Sequence, residues 1–141
     1  MNRDFVGENE ASLRELRARV ESLKHEDFGR RLANGWTVAE ALCHLAFWDR
    51  VMLGRIERWE RGGVEPVILD TRSADPINDG VEMLSGAVSG PEAARMAIES
   101  AEATDAKVAS LSAERVEWMI AGGFERMLHR HLHRREHLRR L

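Results

Sequence analysis

Apolar residues in this chain recur at steps of three and four, segment after segment, and almost nowhere alternate. That spacing is the period of an α-helix and leaves little room for a sheet. Leu13, Leu16, Val20 and Leu23, with Arg and Glu between them, predict an amphipathic helix over residues 5–24. His25 to Asn34 read as a connection, with Gly29 and Gly35 as breakers. Thr37-Val-Ala-Glu40 is a capping box, in which the Thr37 hydroxyl accepts the amide of residue 40 and Glu40 reaches back to the amide of residue 37. Trp36 stands just before the cap, where it can staple onto Ala41. From there Val38, Leu42, Leu45, Met52, Ile56 and Trp59 form one apolar stripe, widened by Ala41, Trp48 and Val51, as far as the stop at Gly62-Gly63.

Residues 62–78 carry a Gly-Gly pair, prolines and mixed polar residues. They predict a long crossover loop, with a short turn of helix near residues 78–84. Ser89-Gly-Pro91 is a second helix start, since proline is tolerated in a first turn. Met96, Ala97, Ala101, Val108 and Leu111 carry a third long helix to Leu111. Residues 112–119 read either as a short extra helix or as a strand-like linker through Val116-Glu-Trp118. After the Gly122-Gly123 break, Phe124, Met127, Leu128, Leu132, Leu138 and Leu141 mark a last helix from residue 124 to the end. The sum is an all-α chain: one domain over residues 1–141, a four-helix bundle with a long crossover between helices two and three.

Composition narrows the function classes. With 141 residues, 43% of them hydrophobic and 32% charged, the chain is long and apolar enough to bury a core. A net charge of −3 argues against a surface built wholesale for nucleic acid. The single cysteine, Cys43, cannot close an internal disulfide, so nothing requires an oxidising compartment. No apolar run reaches signal-peptide or membrane-spanning length. The expectation is a cytoplasmic protein without membrane contact.

Five of the six histidines fall in two places: His44 on the second helix, and the run His129-Arg-His131-Leu-His133-Arg-Arg-Glu-His137 near the end. His129, His133 and His137 follow one another at steps of four, one helical turn apart on one face, while His131 points elsewhere. Two such imidazoles plus a third from a neighbouring helix would fill three corners of a tetrahedral metal site and leave the fourth open, as in catalytic sites. The competing reading is a solvated, Arg-rich helix end and a hydrogen-bonded core histidine. Glu40, one turn before His44, is a candidate carboxylate for orienting its ring, in competition with the capping box. Asp49 is placed to pair with an arginine. Arg134 and Arg135 are possible anion contacts within the basic patch that they form with Arg130, Arg139 and Arg140. Cys43 points about 100° away from His44 around the helix and reads as a small buried hydrophobe.

The segment Trp36-Thr37-Val38-Ala39-Glu40-Ala41-Leu42-Cys43-His44-Leu45-Ala46-Phe47-Trp48-Asp49 resembles the second-helix signature of the DinB-like superfamily, a Trp, then Ser or Thr, a Glu, and a His-Leu pair near the middle of the helix. These are the DNA-damage-induced DinB-like proteins, distinct from the polymerase of the same name. The closing His133-Arg-Arg-Glu-His137-Leu-Arg-Arg-Leu141 resembles the superfamily's final His-x-x-x-His, and Asp75-Pro-Ile-Asn78 resembles a segment of the branch with mycothiol-dependent maleylpyruvate isomerase N-terminal domains. The likeness in layout covers nearly the whole chain. It implies a four-helix bundle, frequent homodimers, and a divalent metal, zinc or nickel, held by His44, His133 and His137. The extra histidines leave His129 and His133 as an alternative pair.

The resemblance also implies transferases or isomerases that use a low-molecular-weight thiol such as mycothiol or bacillithiol. A cation at the open corner would favour the thiolate over the thiol. A water in that place would make a hydrolase instead. A third possibility is a non-enzymatic, dimeric helical binding module whose basic end meets an anionic partner. Arrangement in space separates these readings, and spacing along the chain does not.

Overall fold

The computed structural model describes residues 3–141; Met1 and Asn2, on which the reading of the N-terminus begins, lie outside them. Among the described residues seven helices follow in order: α1 over Asp4–Ser22, α2 over Val38–Gly62, α3 over Thr71–Ser85, α4 over Gly90–Ala109, α5 over Ala113–Ala121, α6 over Glu125–Leu128 and α7 over Arg130–Leu138. A 3-10 turn over His25–Gly29 joins α1 to α2. Among the described residues there is no strand, only one isolated bridge between Arg31 and Thr37. No described helix is long and apolar enough to cross a membrane.

Helices α1, α2, α4 and α7 form the bundle. Cross-contacts give their directions. Asp49 and Glu60 of α2 meet Thr104 and Lys107 of α4 in the same order, so the two run parallel, as the long crossover between them requires. Residues 9, 12 and 15 of α1 likewise meet 131, 134 and 135 of α7 in order. Arg3 and Arg17 of α1 meet Leu111 and Glu102 in reverse order, so the first pair runs against the second.

The cap of α2 is as the sequence dictates. The Thr37 hydroxyl accepts the Glu40 amide at 3.1 Å and Glu40 accepts the Thr37 amide at 2.8 Å. Gly63 ends the helix in the left-handed region at φ 70°, a conformation that costs glycine nothing. The crossover differs from expectation. It holds a full helix, α3, in place of a short turn near 78–84. Asp70 caps it by accepting the Ser73 amide at 2.8 Å, and Pro76 sits inside it at the cost of one backbone bond. The segment 112–119 resolves as helix α5, capped by Ser112.

The last helix is not continuous. At His129 the backbone leaves helical geometry (φ −86°, ψ 68°), which splits it into α6 and α7. Asn9 of α1 fills the gap: its amide donates to the Leu128 carbonyl at 2.8 Å, and its carbonyl oxygen accepts the His131 amide at 2.9 Å. The Leu128 carbonyl would otherwise be buried without a partner.

The core has two apolar parts with a polar layer between them. Near one end, Leu13, Leu16, Val38, Leu42 and Leu45 pack on Ala93, Ala97 and Ala101. Near the other, Phe5, Ile56 and Trp59 pack on Val108, Met119 and Leu128. Between them lie buried Asn9, Ser12, Asp49, Ser100, Thr104, Asp105, Arg130 and Arg134. Arg134 donates to both oxygens of Asp105 at 2.9 and 3.0 Å, to Ser12 Oγ at 2.9 Å and to the Asn9 carbonyl at 3.1 Å. Arg130 Nε donates to Asp49 at 2.9 Å. Two carboxylates thus face two guanidiniums, and no described charge in the layer is left uncompensated.

Candidate metal centre

Helix α2 carries His44 two turns beyond its cap, and α7, running against it, carries His133 and His137 on one face. The three rings converge. Nε2 of His44 and Nε2 of His133 are 3.0 Å apart. The His137 ring lies 4.5 Å from that of His44 and 4.8 Å from that of His133, centre to centre. One nitrogen from each residue falls in a group with all members within 4.8 Å of one another. Trp36, just outside the cap of α2, leans on His44 and stacks on His137, closing the apolar side of the cluster.

The chemistry of this set suits a cation. Ligand atoms at about 2.0–2.1 Å from a tetrahedral metal stand roughly 3.3 Å apart, close to the observed pair. Without one, two ring nitrogens face each other and only one of them can accept a proton from the other. Nδ1 of His44 is buried without a partner among the described residues, and Nε2 is the ring nitrogen that faces His133. Burial pushes the His44 imidazole down to about 3, with the nearby His137 adding to the effect. Burial likewise lowers His133, helped by the charge of Arg130, and lowers His137. All three are therefore held in the neutral form, which a metal requires and a proton would block.

A cleft of about 550 Å³ opens over the cluster. Trp48, Met52, Phe124 and Met127 give it apolar walls, and Arg130 lies at its floor. Trp48 donates from Nε1 to Asn78 Oδ1 at 2.7 Å, which ties α2 to α3 and gives the Asp75-Pro-Ile-Asn78 segment a structural role at the cleft wall.

The other expected residues fall elsewhere. His129 and His131 form a separate pair, Nδ1 to Nε2 at 3.1 Å, with His129 against the ring of Phe5; the break at His129 takes them out of line with His133 and His137. Glu40 is engaged by the capping box, and no hydrogen bond joins it to His44. Arg134 is 2% exposed and its donors are taken up inside the polar layer, so it is not placed to meet a substrate anion. Arg135 lies on the α1 side, paired with Glu8 and Glu15. A run of arginines normally reads as a solvated face, and nothing local in the sequence marks two of them as core residues. Cys43 is buried, and its thiol is pushed up by that burial, so it is inert toward the cluster.

A parallel-crossover helical bundle with a three-histidine group between its second and last helices is the class of protein that fold and site define. A sequence profile of the DinB superfamily matches residues 8–138, nearly the whole chain, and the chain belongs to that family. No curated protein and no solved structure matches it.

Proposed function

We propose that this protein is a metal-dependent enzyme acting on a small molecule, in which His44, His133 and His137 hold one divalent ion, zinc or nickel. The observation that carries the reading is the convergence of three neutral imidazoles beneath an open cleft. Structural zinc sites close all four positions with protein ligands; here three histidines make up the whole group, and the cleft gives access to a fourth position. When bound, the ion supplies a nucleophile, by holding a thiol or a water in its deprotonated form at neutral pH. The chain's own residues do the rest. The imidazoles stay unprotonated, Trp36 shields them from water, and the apolar walls desolvate whatever enters.

Of the two nucleophiles we favour a low-molecular-weight thiol, such as mycothiol or bacillithiol, which makes the enzyme an S-transferase or an isomerase. The family assignment and the volume of the cleft, about 550 Å³, support this choice. The reading as a basic binding module is weakened by its own residues: Arg130 and Arg134 are buried in ion pairs, and Arg135 is paired on the surface.

Elemental analysis of protein purified without a histidine tag tests the metal. About one divalent ion per chain is expected, lost in His44→Ala and kept in His129→Ala. Wild-type protein that takes up no ion at pH 7.5 ends the enzyme reading. Cobalt-substituted protein then tests the nucleophile. Titration with a small thiol should bring in a sulfur-to-cobalt charge-transfer band, and an unchanged spectrum would favour water and a hydrolase.

A further inference from the structure

Arg130 stands three residues before His133 at the floor of the cleft and is only 4% exposed. Its Nε is fixed by Asp49 at 2.9 Å and its Nη1 by the Arg126 carbonyl at 3.0 Å. Those two bonds set the plane of the guanidinium. Nη2 has no hydrogen bond to any described residue, yet it is not among the fully buried atoms that lack a partner. Its remaining exposure is therefore toward the cleft that the residue lines. A desolvated donor on a charged group gains most from an anionic acceptor.

Charge around the cluster points the same way. Three neutral imidazoles bring no negative charge to a divalent ion, and no carboxylate belongs to the group. The positive charge there is left for the guest to balance. The other cleft arginines are less suited, Arg140 because it is solvent-exposed and so meets an anion in water. Arg126 pairs with Glu136 at 3.6 Å. Arg55 donates to the Val67 carbonyl and lies eleven residues past His44, roughly 16 Å along α2.

The geometry points to Arg130 as a substrate-binding residue: its Nη2 takes the carboxylate of a small organic acid whose apolar body lies along Trp48, Met52 and Phe124, beside His44 and His133. This names the substrate class of the site proposed above and rests on that reading for the metal, though not for the carboxylate contact. Asp49 then has a defined task, since it holds the guanidinium in place and leaves one edge of it for the guest.

Benzoate is the probe. Its binding is measured by calorimetry on the protein with and without its metal, and the guanidinium resonances of Arg130 are followed by nitrogen-15 NMR. Benzoate should shift the Arg130 signals in both forms of the wild type. Arg130→Gln combined with Asp49→Asn removes the ion pair as a unit, so no charge is left buried alone. It should weaken benzoate by about ten- to a hundredfold, the size of a lost charge-assisted hydrogen bond, with Arg55→Gln near wild type. Saturating benzoate that leaves the Arg130 resonances unmoved overturns the inference, and this needs no variant to fold. Loss of affinity that follows Arg55→Gln and not residue 130 overturns it too. Protein that takes up no metal but binds benzoate through Arg130 would remove the proposed enzyme and leave this inference standing.

Discussion

His44, His133 and His137 are bases held neutral by their surroundings, and that has a measurable cost in acid. Burial holds the folded-state value of each ring below its ordinary value of 6.5, to about 3 for His44. An unfolded chain would take up protons first as pH falls below 6.5, so the metal-free protein loses stability through that window and regains it as pH rises. Each ring contributes a slope of up to about 1.4 kcal/mol per pH unit. Asp105 acts in the opposite sense at lower pH, because burial raises its carboxyl despite the bonds from Arg134. The clean measurement is therefore the urea midpoint of metal-free protein between pH 7 and pH 5, above the carboxylate range. It should fall with pH, and His44→Phe should flatten the fall. A wild-type midpoint that stays constant would mean that the rings titrate as if exposed.

At the scale of elements, α4 begins where the 3-10 turn crosses it. Gly90, its first residue, leaves no room for a side chain: a Cβ built there would lie 2.2 Å from Cγ of Phe28. Gly90→Ala raises helix propensity yet should destabilise by about 1–3 kcal/mol, the range for overpacking, with Phe28→Ala in the same chain removing most of the clash. A thermal melt of the single and double variants checks this, and a stabilised single variant would mean that the turn gives way freely. Elements of this kind were only partly legible in the sequence. The helices α1, α2 and α4 are carried by local periodicity and caps, and they appear nearly where those signals put them. Helix α3 was understated because Pro76 reads as a breaker, although Asp70 supplies a start that outweighs it. The break at His129 had no local signal. It is completed by Asn9, a residue more than a hundred positions away, and the same break decides which of three evenly spaced histidines face α2. The site was thus legible as a set of candidates, and long-range packing chose among them.

For the molecule as a whole, the polar layer between the two apolar clusters is what ties the helices into one register. Asp49 of α2, Asp105 of α4 and Arg130 and Arg134 of α7 meet there, with Asn9 and Ser12 of α1 completing the donors and acceptors. Desolvating four charges offsets much of what their attraction contributes, so the layer adds less to net stability than its bonds suggest. Breaking it from one side is another matter. Arg134→Met leaves Asp105 buried without its bidentate partner and should cost about 3–5 kcal/mol. Asp105→Leu leaves Arg134 with only Asp49, Ser12 and a carbonyl, and should cost a similar amount. Both changes together replace the pair with apolar side chains. Their combined cost should fall short of the summed single costs by roughly 0.5–3 kcal/mol, the coupling expected of residues in direct contact. Urea unfolding of the three variants measures that cycle. Strictly additive losses would show that the two ions do not stabilise each other. The layer would then be a set of separately solvated groups, and the positions of His133 and Arg130 on α7 would have to be held by the apolar clusters alone.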